Sequence, residues 1–485
     1  MPDSTFSRFQ EGFRKGGNGL HTRKVDCVVI GSGMGGITAG ALMAHYGYKV
    51  LVVEKRSSLG GRFSTQVIDG FKCPTGALII QRGTELEKTF KVTGADFSIV
   101  ECTDISWKIG DEIYTLLGKG AGKTFWTALR KFRWRHYKFG IMGLLMTLKA
   151  MAGIVWRAFV NLFRSEDNKL ERRSKRGTIS YRAWMEKYTD DPQIIQAHHA
   201  IVSSLFTATN DFECPAEDVF EFYASMANPA KMHRFGYAPR GNIELINNLA
   251  KVVTDRGGEV LTGVEVKAIK VENGCATGVV LATREGDIDV EARVVISNAG
   301  PRQTMEMLGE GHLPPQYVRE IKERLRPVPI VMGLIESDVP LLNKKGLVVI
   351  TGTRAIVTGV TLTLHSDEIG PPGKHLMWTC GTPATCCDHI DRELEIKRNE
   401  EDLEKAFPLY KEHGRVLKWV IKDIDDDLPC MRTPPGYDMP VDTAIPNLFN
   451  VGDGVKDPGW TGSPACAKSA WKVVNKVRKK FPLHA

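Results

Sequence analysis

Residues 25–62, VDCVVIGSGMGGITAGALMAHYGYKVLVVEKRSSLGGR, decide the fold of this 485-residue chain. The β-branched run Val25 to Ile30 predicts a buried parallel strand. It passes directly into a glycine-rich turn and then into small residues that predict a helix. A second apolar run, Lys49 to Val53, ends in Glu54. This order of strand, glycine turn, helix, strand and acid predicts a Rossmann-type βαβ unit.

The glycine turn has the composition of a dinucleotide-binding site. Gly31 permits a tight turn, Gly33 lets the backbone approach a pyrophosphate, and Gly36 lets the helix pack against the strand. The Glu54 carboxylate can accept hydrogen bonds from a ribose diol, and an acid at this position argues against a 2′-phosphate. The predicted cofactor-binding residues here also include Ser32, Met34, Gly35 and Lys55.

A second glycine pair, Gly60-Gly61-Arg62, is not part of the common NAD-binding unit. It resembles the GG-Arg extension of a large FAD-dependent family, the amine oxidase superfamily, which includes phytoene desaturases, carotenoid isomerases, retinol saturases and Rab GDP-dissociation inhibitors. The resemblance implies that Arg62 meets the flavin pyrophosphate while Gly61 lets the chain pass close to it. It also implies that Gly76 borders the flavin, although Cys73-Pro74 departs from the family's usual pattern.

A second motif stands near the end of the chain, where a short apolar strand stops at Gly452-Asp453. Asp453 can bind the ribityl or pyrophosphate side of a flavin nucleotide. The following small-residue helix can stabilise negative charge on the reduced ring. The resemblance covers nearly the full chain and implies FAD as the cofactor. NAD(P)H as an external reductant would need a second dinucleotide-binding motif, and the sequence shows none. The remaining implied cofactor-binding residues are Val266, Gly459, Trp460 and Thr461.

The resemblance implies an α/β fold, with a Rossmann-type FAD-binding domain and an interleaved α+β substrate domain. Because residues 1–24 are polar and contain no apolar leader, we expect a flexible tail there. We expect the FAD-binding domain to comprise residues 25–85, 235–304 and 440–485, and the substrate domain to comprise residues 86–234 and 305–439.

The net charge of +8 is concentrated in residues 119–187, which carry seventeen lysines and arginines against four acids. No nucleic-acid-binding module accompanies this charge, so we expect no nucleic-acid partner. Residues 125–163 combine a basic end with interleaved aromatic residues, and two interpretations stay open. They form either a helix pair on an anionic membrane surface or a core helix with a solvated basic lead. Because charges interrupt the apolar runs, we expect no membrane-spanning helix.

No metal site is predicted. The pair His198-His199 lies in an apolar-periodic stretch, which favours a place in the core or a pocket over metal binding. The run Asp425-Asp426-Asp427 favours a solvated turn, because adjacent acids point apart while ligands of a divalent cation converge. The ten cysteines show no zinc spacing and are expected to be reduced thiols in a cytoplasmic protein, peripheral at the membrane under the first interpretation above.

The resemblance is greatest to the phytoene desaturase, carotenoid isomerase and retinol saturase branch. It implies hydride transfer between flavin N5 and a long hydrophobic isoprenoid or lipid substrate, as desaturation or saturation. One alternative is a flavin amine oxidase, because Trp460-Thr461-Gly462 resembles the ending of those enzymes. The other is a non-enzymatic prenyl binder like the Rab GDP-dissociation inhibitors, although the intact cofactor motifs argue against it. The sequence assigns no catalytic acid or base and no oligomeric state.

Overall fold

A computed structural model describes residues 14–15, 21–102, 104–117, 134–164, 179–205, 214–226, 235–283, 286–385 and 387–483. Its strands are β1 (Arg14–Lys15), β2 (His21–Ile30), β3 (Val50–Glu54), β4 (Thr65–Ile68), β5 (Phe71–Pro74), β6 (Ile80–Gln81), β7 (Val100–Glu101), β8 (Ile105–Ile109), β9 (Glu112–Leu117), β10 (Phe235–Tyr237), β11 (Glu259–Thr262), β12 (Glu265–Glu272), β13 (Cys275–Thr283), β14 (Gly286–Ser297), β15 (Ile330–Ser337), β16 (Leu347–Ile350), β17 (Ile356–Thr361), β18 (His375–Gly381), β19 (Gly414–Lys422) and β20 (Leu448–Asn450). Its α-helices are α1 (Met34–His45), α2 (Glu85–Thr93), α3 (Trp134–Leu162), α4 (Tyr181–Met185), α5 (Pro192–Leu205), α6 (Ala216–Met226), α7 (Ile243–Asp255), α8 (Pro301–Leu308), α9 (Pro315–Arg324), α10 (Arg392–Ala406), α11 (Tyr410–His413) and α12 (Gly462–Lys480).

The predicted βαβ unit is at the centre of an eight-stranded mixed sheet with the order β11-β3-β2-β14-β13-β12. β2 and β3 are parallel, as predicted, and β11 extends the parallel set beyond β3. The long strand β14 runs parallel to β2 and β20, while β12, β13 and β14 form an antiparallel meander. α1 packs so closely on this sheet that a Cβ at Gly40 would lie 2.9 Å from Val52 Cγ2.

A second sheet of seven strands has the order β19-β15-β18-β17-β16-β8-β9 and is antiparallel except between β16 and β8. Strands β15, β16 and β17 are continuous buried runs rich in apolar residues, which is typical of strands covered on both faces, whereas the sequence of β19 does not indicate a strand. This strand, GRVLKWVIK, mixes basic and apolar residues, and it pairs with β15 across an irregularity in register. The Rossmann-type α/β fold is therefore present, and the domain boundaries given above remain our proposal.

Side-chain contacts define several local features of the fold. Ser180 caps α4 by accepting a hydrogen bond from the Ala183 N–H at 3.2 Å. His198 is in α5 and its Nδ1 lies 3.0 Å from the Tyr181 hydroxyl, inside an aromatic cluster. Asp427 bonds Lys55 at 2.7 Å, and no cluster that could hold a metal ion occurs among the described residues.

The backbone at residues 241–242 differs from the expected turn. Since asparagine tolerates a left-handed backbone better than most residues, Asn242 is a candidate for that conformation in the turn before α7. Instead Gly241 has φ +90°, and Asn242 has the right-handed φ of −62°. The Asn242 amide donates a hydrogen bond to the Ala77 carbonyl at 2.7 Å, so its side chain fastens α7 to the segment after Gly76.

The helix α3 corrects one expectation about the membrane. By length and composition, its part Lys138–Leu162 could cross a membrane, and only 6% of its most apolar window is buried. Within the described residues a single helix occupies the place of the predicted helix pair, and residues 125–133 lie outside them. One face of α3 packs on α4 and α6 through Phe139 and Met142. The ion pair of Arg157 with Glu221 fastens the same helix to α6.

Candidate functional site

One cavity of about 500 Å³ is lined by residues of both large sheets. Three of the predicted cofactor-binding residues, Ser32, Gly36 and Gly452, do not line it. The predicted residues that line it are Gly31, Gly33, Met34, Gly35, Glu54, Lys55, Gly61, Arg62, Gly76, Val266, Asp453, Gly459, Trp460 and Thr461.

The glycine turn forms one end of the cavity, where the backbone packs too closely for side chains. A Cβ at Gly36 would lie 2.0 Å from the Gly31 carbonyl oxygen, and a Cβ at Gly35 would lie 2.8 Å from Gly452 Cα. The turn from the chain's beginning therefore touches the turn from its end. Gly36 and Gly452 thus shape the site by packing, without facing the cavity.

The first turn of α1 faces this end of the cavity through Gly33, Met34 and Gly35. Gly33 precedes the helix, and no side chain caps its N-terminal N–H groups. Such N–H groups, together with the helix dipole, bind phosphate oxygens. The glycine turn and the α1 N-terminus together form a cradle that fits a diphosphate. Because glycine has no side chain, the backbone of this cradle is open to the phosphate oxygens.

Glu54 is 6% exposed and holds the glycine turn in place. Its Oε2 accepts hydrogen bonds from the Ser32 N–H at 2.9 Å and the Ser32 hydroxyl at 2.7 Å. Its Oε1 accepts one from the Arg56 N–H at 2.9 Å. Since a carboxylate has about four acceptor positions, Glu54 can also accept from a ribose hydroxyl. Ser32 therefore acts behind the cavity wall as a partner of Glu54.

A buried ion network joins the two predicted motifs. Arg62 Nη1 lies 2.6 Å from Asp453 Oδ2 and 2.7 Å from the Cys430 carbonyl oxygen. The Lys456 ammonium is in contact with Asp453 and lies 2.9 Å from Asp438. Burial alone would raise the pKa of Asp453, but Lys456 and Arg62 outweigh it and lower that pKa far below its usual range. Asp453 is therefore a permanent carboxylate.

Asp438, the second carboxylate on Lys456, behaves differently. Burial raises the pKa of Asp438 to about 7, and the attraction of Lys456 offsets only part of this effect. Its Oδ2 is buried and has no hydrogen-bond partner among the described residues. The network thus contains one carboxylate that stays ionised and one that takes up a proton near neutral pH.

The N-terminus of α12 borders the cavity through Trp460, Thr461 and Ser463. The hydroxyls of Thr461 and Ser463 are buried and lack a partner within the described part of the chain. The preceding loop is fixed because the Gly459 N–H donates to the buried Asp218 at 3.1 Å. Two unpartnered hydroxyls at a helix N-terminus fit the polar edge of a flavin ring, so the residues present suit the implied cofactor.

The other end of the cavity is apolar. The inner face of the seven-stranded sheet contributes Ile330, Met332, Trp378 and Cys380, and α6 contributes Phe222. All five side chains are less than 10% exposed. This wall can hold a hydrophobic ligand next to the polar cradle.

Several cavity residues were not predicted from the sequence. Asn298 follows β14 and contacts the glycine turn, since a Cβ at Gly33 would lie 2.5 Å from its Nδ2. Its place in the segment ISNAGP, between β14 and α8, is the signal that could have identified it. Lys422, Arg432 and Lys456 also line the cavity. Their positions depend on β19 and on loops whose path the sequence does not reveal.

Comparisons with known proteins agree with this geometry. Residues 34–477 match the family model described as flavin containing amine oxidoreductase. The chain is 24% identical over 459 residues to an uncharacterized protein of Methanocaldococcus jannaschii, covering 93% of this chain and 98% of that one. It is similar to the crystal structure of an oxidoreductase from Methanosarcina mazei, with TM-score 0.74, 24% identity and coverage of 93% and 100%.

A relative with a named activity is the neurosporene-forming phytoene desaturase of Cereibacter sphaeroides. It is 26% identical over 300 residues, which are 59% of this chain and 55% of the desaturase. The chain thus aligns with about half the length of that enzyme. The family match covers most of the chain, and its cofactor agrees with the cradle, the ion network and the helix N-terminus. The chain therefore belongs to the flavin containing amine oxidoreductase family, and its cofactor is FAD.

Proposed function

We propose that this protein transfers hydride between flavin N5 and a carbon of a long hydrophobic substrate, an isoprenoid or other lipid, as desaturation or saturation. The observation that carries the proposal is the single cavity that joins a nucleotide cradle to an apolar sheet face. Such a wall excludes water and accommodates a hydrocarbon chain beside the cofactor. The likeness to a phytoene desaturase supports the same substrate class.

We assign the cofactor contacts as follows. The α1 N-terminus and the glycine turn hold the diphosphate, Glu54 holds the adenosine ribose, and Val266 borders the adenine. Asp453, kept ionised by Arg62 and Lys456, accepts hydrogen bonds from the sugar chain of the flavin half. Bound FAD supplies the hydride acceptor or donor, and the chain's part is to align one C–H bond with it.

The charge of the cavity wall disfavours the amine oxidase alternative. An amine substrate is a cation at neutral pH, and the wall next to the apolar face contains Arg62, Lys422 and Arg432. Of the carboxylates that line the cavity, Asp453 is engaged by Arg62 and Lys456, and Asp427 pairs with Lys55. Glu54 accepts hydrogen bonds from Ser32, and Glu265 and Glu306 complete the set. Like charges therefore meet a protonated amine at this wall, whereas an uncharged lipid chain encounters no such penalty.

We further propose that α3 docks on an anionic membrane surface, from which a lipid substrate reaches the cavity. Exposed apolar residues recur every three or four positions along its outer face: Ile141, Leu144, Leu145, Leu148, Met151, Val155, Trp156, Phe159, Leu162 and Phe163. Residues 134–164 contain no acid, and Lys138, Lys149 and Arg164 are exposed. An apolar face with only positive charge is typical of helices that lie on anionic lipid.

The position of α6 supports delivery from that surface. Glu221 of α6 pairs with Arg157 of α3, and the next residue, Phe222, lines the cavity. One helix therefore separates the outward apolar face from the apolar end of the cavity. Because Arg157 and Phe139 fasten α3 to the protein, a helix lying along the surface fits better than one that spans the bilayer.

The experiment is anaerobic turnover with polyprenoids embedded in vesicles. The FAD-loaded protein is incubated with an unsaturated or partly saturated polyprenoid and either a quinone acceptor or a chemical reductant. Mass spectrometry is expected to find loss or gain of two hydrogens. Peroxide release with a panel of amines, without change in any polyprenoid, would overturn the proposal and favour the amine oxidase alternative.

A further inference from the structure

Two cationic side chains in the cavity wall have no carboxylate partner among the described residues. Lys422 ends β19 opposite Ile330 of β15, so its side chain shares the sheet face that lines the cavity. Within the described part of the chain, no acceptor lies within hydrogen-bonding distance of its Nζ. The Arg432 guanidinium donates to the Asp427 carbonyl at 2.8 Å and pairs with no described carboxylate.

The charged surroundings make these two cations unfavourable in the protein alone. Burial, and then the neighbouring Arg62, lower the pKa of Lys422 to about 8 and that of Arg432 to about 10. Arg56 also opposes the charge of Lys422, while the Cys430 thiol and Asp426 favour it. Asp453, Asp427 and Glu306 favour the charge of Arg432, but none of them forms an ion pair with its guanidinium. A half-buried cation that no carboxylate pairs with costs stability, so its presence at a cavity wall points to an anion supplied by a ligand.

We propose that Lys422 and Arg432, beside Arg62, bind an oxyanion of a ligand in the cavity. Guanidinium and ammonium groups together are the usual protein partners of phosphate oxygens. Two sources share this chemistry: the diphosphate of FAD, and an acidic head group on the hydrophobic substrate. The second source rests on the proposed function, whereas the first depends only on the cofactor.

The first experiment measures FAD binding to the full-length, deflavinated protein. If the diphosphate is the oxyanion, K422M raises the Kd for FAD at least about tenfold, and K422R restores most of the affinity. The matched control is K418M on the same strand, because Lys418 is exposed and bonds only Gln66 Oε1 at 3.3 Å. R432M is a second variant with the same expected direction.

The second experiment uses FAD-saturated protein and two simple amphiphiles, dodecyl phosphate and dodecanol. Their binding is followed through the change in the flavin absorption spectrum. If the oxyanion is a substrate head group, the wild-type protein prefers dodecyl phosphate. K422M then loses that preference while its FAD affinity stays unchanged.

The proposal is overturned if K422M and R432M match K418M in both experiments while their melting temperatures show that they are folded. Neither experiment requires turnover. A protein that binds FAD and dodecyl phosphate through Lys422 but changes no polyprenoid therefore contradicts the proposed function and leaves this inference standing.

Discussion

The two ends of the cavity are built in opposite ways. At the cofactor end, Gly36 packs against the backbone of Gly31, and Gly35 packs against that of Gly452, at distances that exclude a side chain at Gly35 or Gly36. At the apolar end, which we propose holds the substrate and call the substrate end, side chains such as Met332 and Trp378 project from separate strands. The contrast indicates that the cofactor end tolerates almost no change in shape, whereas the substrate end can change specificity by single substitutions.

The largest effect on FAD affinity is expected at Gly36. A methyl group in G36A would lie 2.0 Å from the Gly31 carbonyl oxygen, so the turn must shift. Overpacking costs up to about 3 kcal/mol, which predicts a roughly 100-fold weaker FAD affinity. Isothermal titration of FAD into the deflavinated protein measures this affinity. The matched control is G311A, since a Cβ at Gly311 meets no atom within 4 Å. Equal FAD affinity in both variants would contradict the view that backbone contact fixes this end.

On folding stability, rather than on FAD affinity, the largest effect is expected when the ion network is broken. D453N removes a carboxylate that is 7% exposed and leaves Arg62 and Lys456 without their shared partner. Loss of one member of a buried pair predicts about 4 kcal/mol of destabilisation. Urea unfolding measures this change. D442N removes only the surface pair with Lys476 and should cost at most about 0.5 kcal/mol. A result for D453N as small as for D442N would show that the network is dispensable.

The protonation of Asp438 predicts a pH dependence of stability. Because its folded pKa of about 7 exceeds the value of the unfolded chain, the folded state keeps a proton that the unfolded state has lost. The stability that the protonated Asp438 carboxyl contributes to the folded state is fully present below about pH 4. It is lost as the pH rises through 7, and the loss is about 2–4 kcal/mol in total. Urea midpoints of wild type and D438N across this range measure the difference. Parallel pH profiles would contradict the assignment.

The smallest effect is expected on the outer face of α3. The double variant V155E/F159E places acids on its exposed apolar stripe and should weaken binding to phosphatidylglycerol vesicles about tenfold, without changing FAD affinity. Co-sedimentation with the vesicles measures the binding of each variant to lipid. The control is L394E on α10, whose side chain is also exposed, at 49%. Unchanged sedimentation of V155E/F159E would remove the membrane from the proposal.

The sequence reveals the cofactor end far better than the substrate end. The requirement for glycine is local at residue 31, whose φ is +86°, and at residue 36, which packs on the Gly31 carbonyl. A short pattern therefore predicts the strand, the turn and the helix. β19 was not predicted, because its one arginine and two lysines interrupt the apolar alternation and its stability comes from pairing with β15. The outward exposure of α3 also could not be predicted, since its apolar residues suit a core equally well.

Asn298 also has a consequence for how the protein is made. A Cβ at Gly33 or at Gly452 would collide with its amide, so this one side chain lies between turns more than 400 positions apart. A ribosome-bound chain that has not yet produced residue 452 has the diphosphate cradle but lacks its closing wall. Retention of flavin should therefore begin only as synthesis ends, and nascent chains released early should emerge colourless.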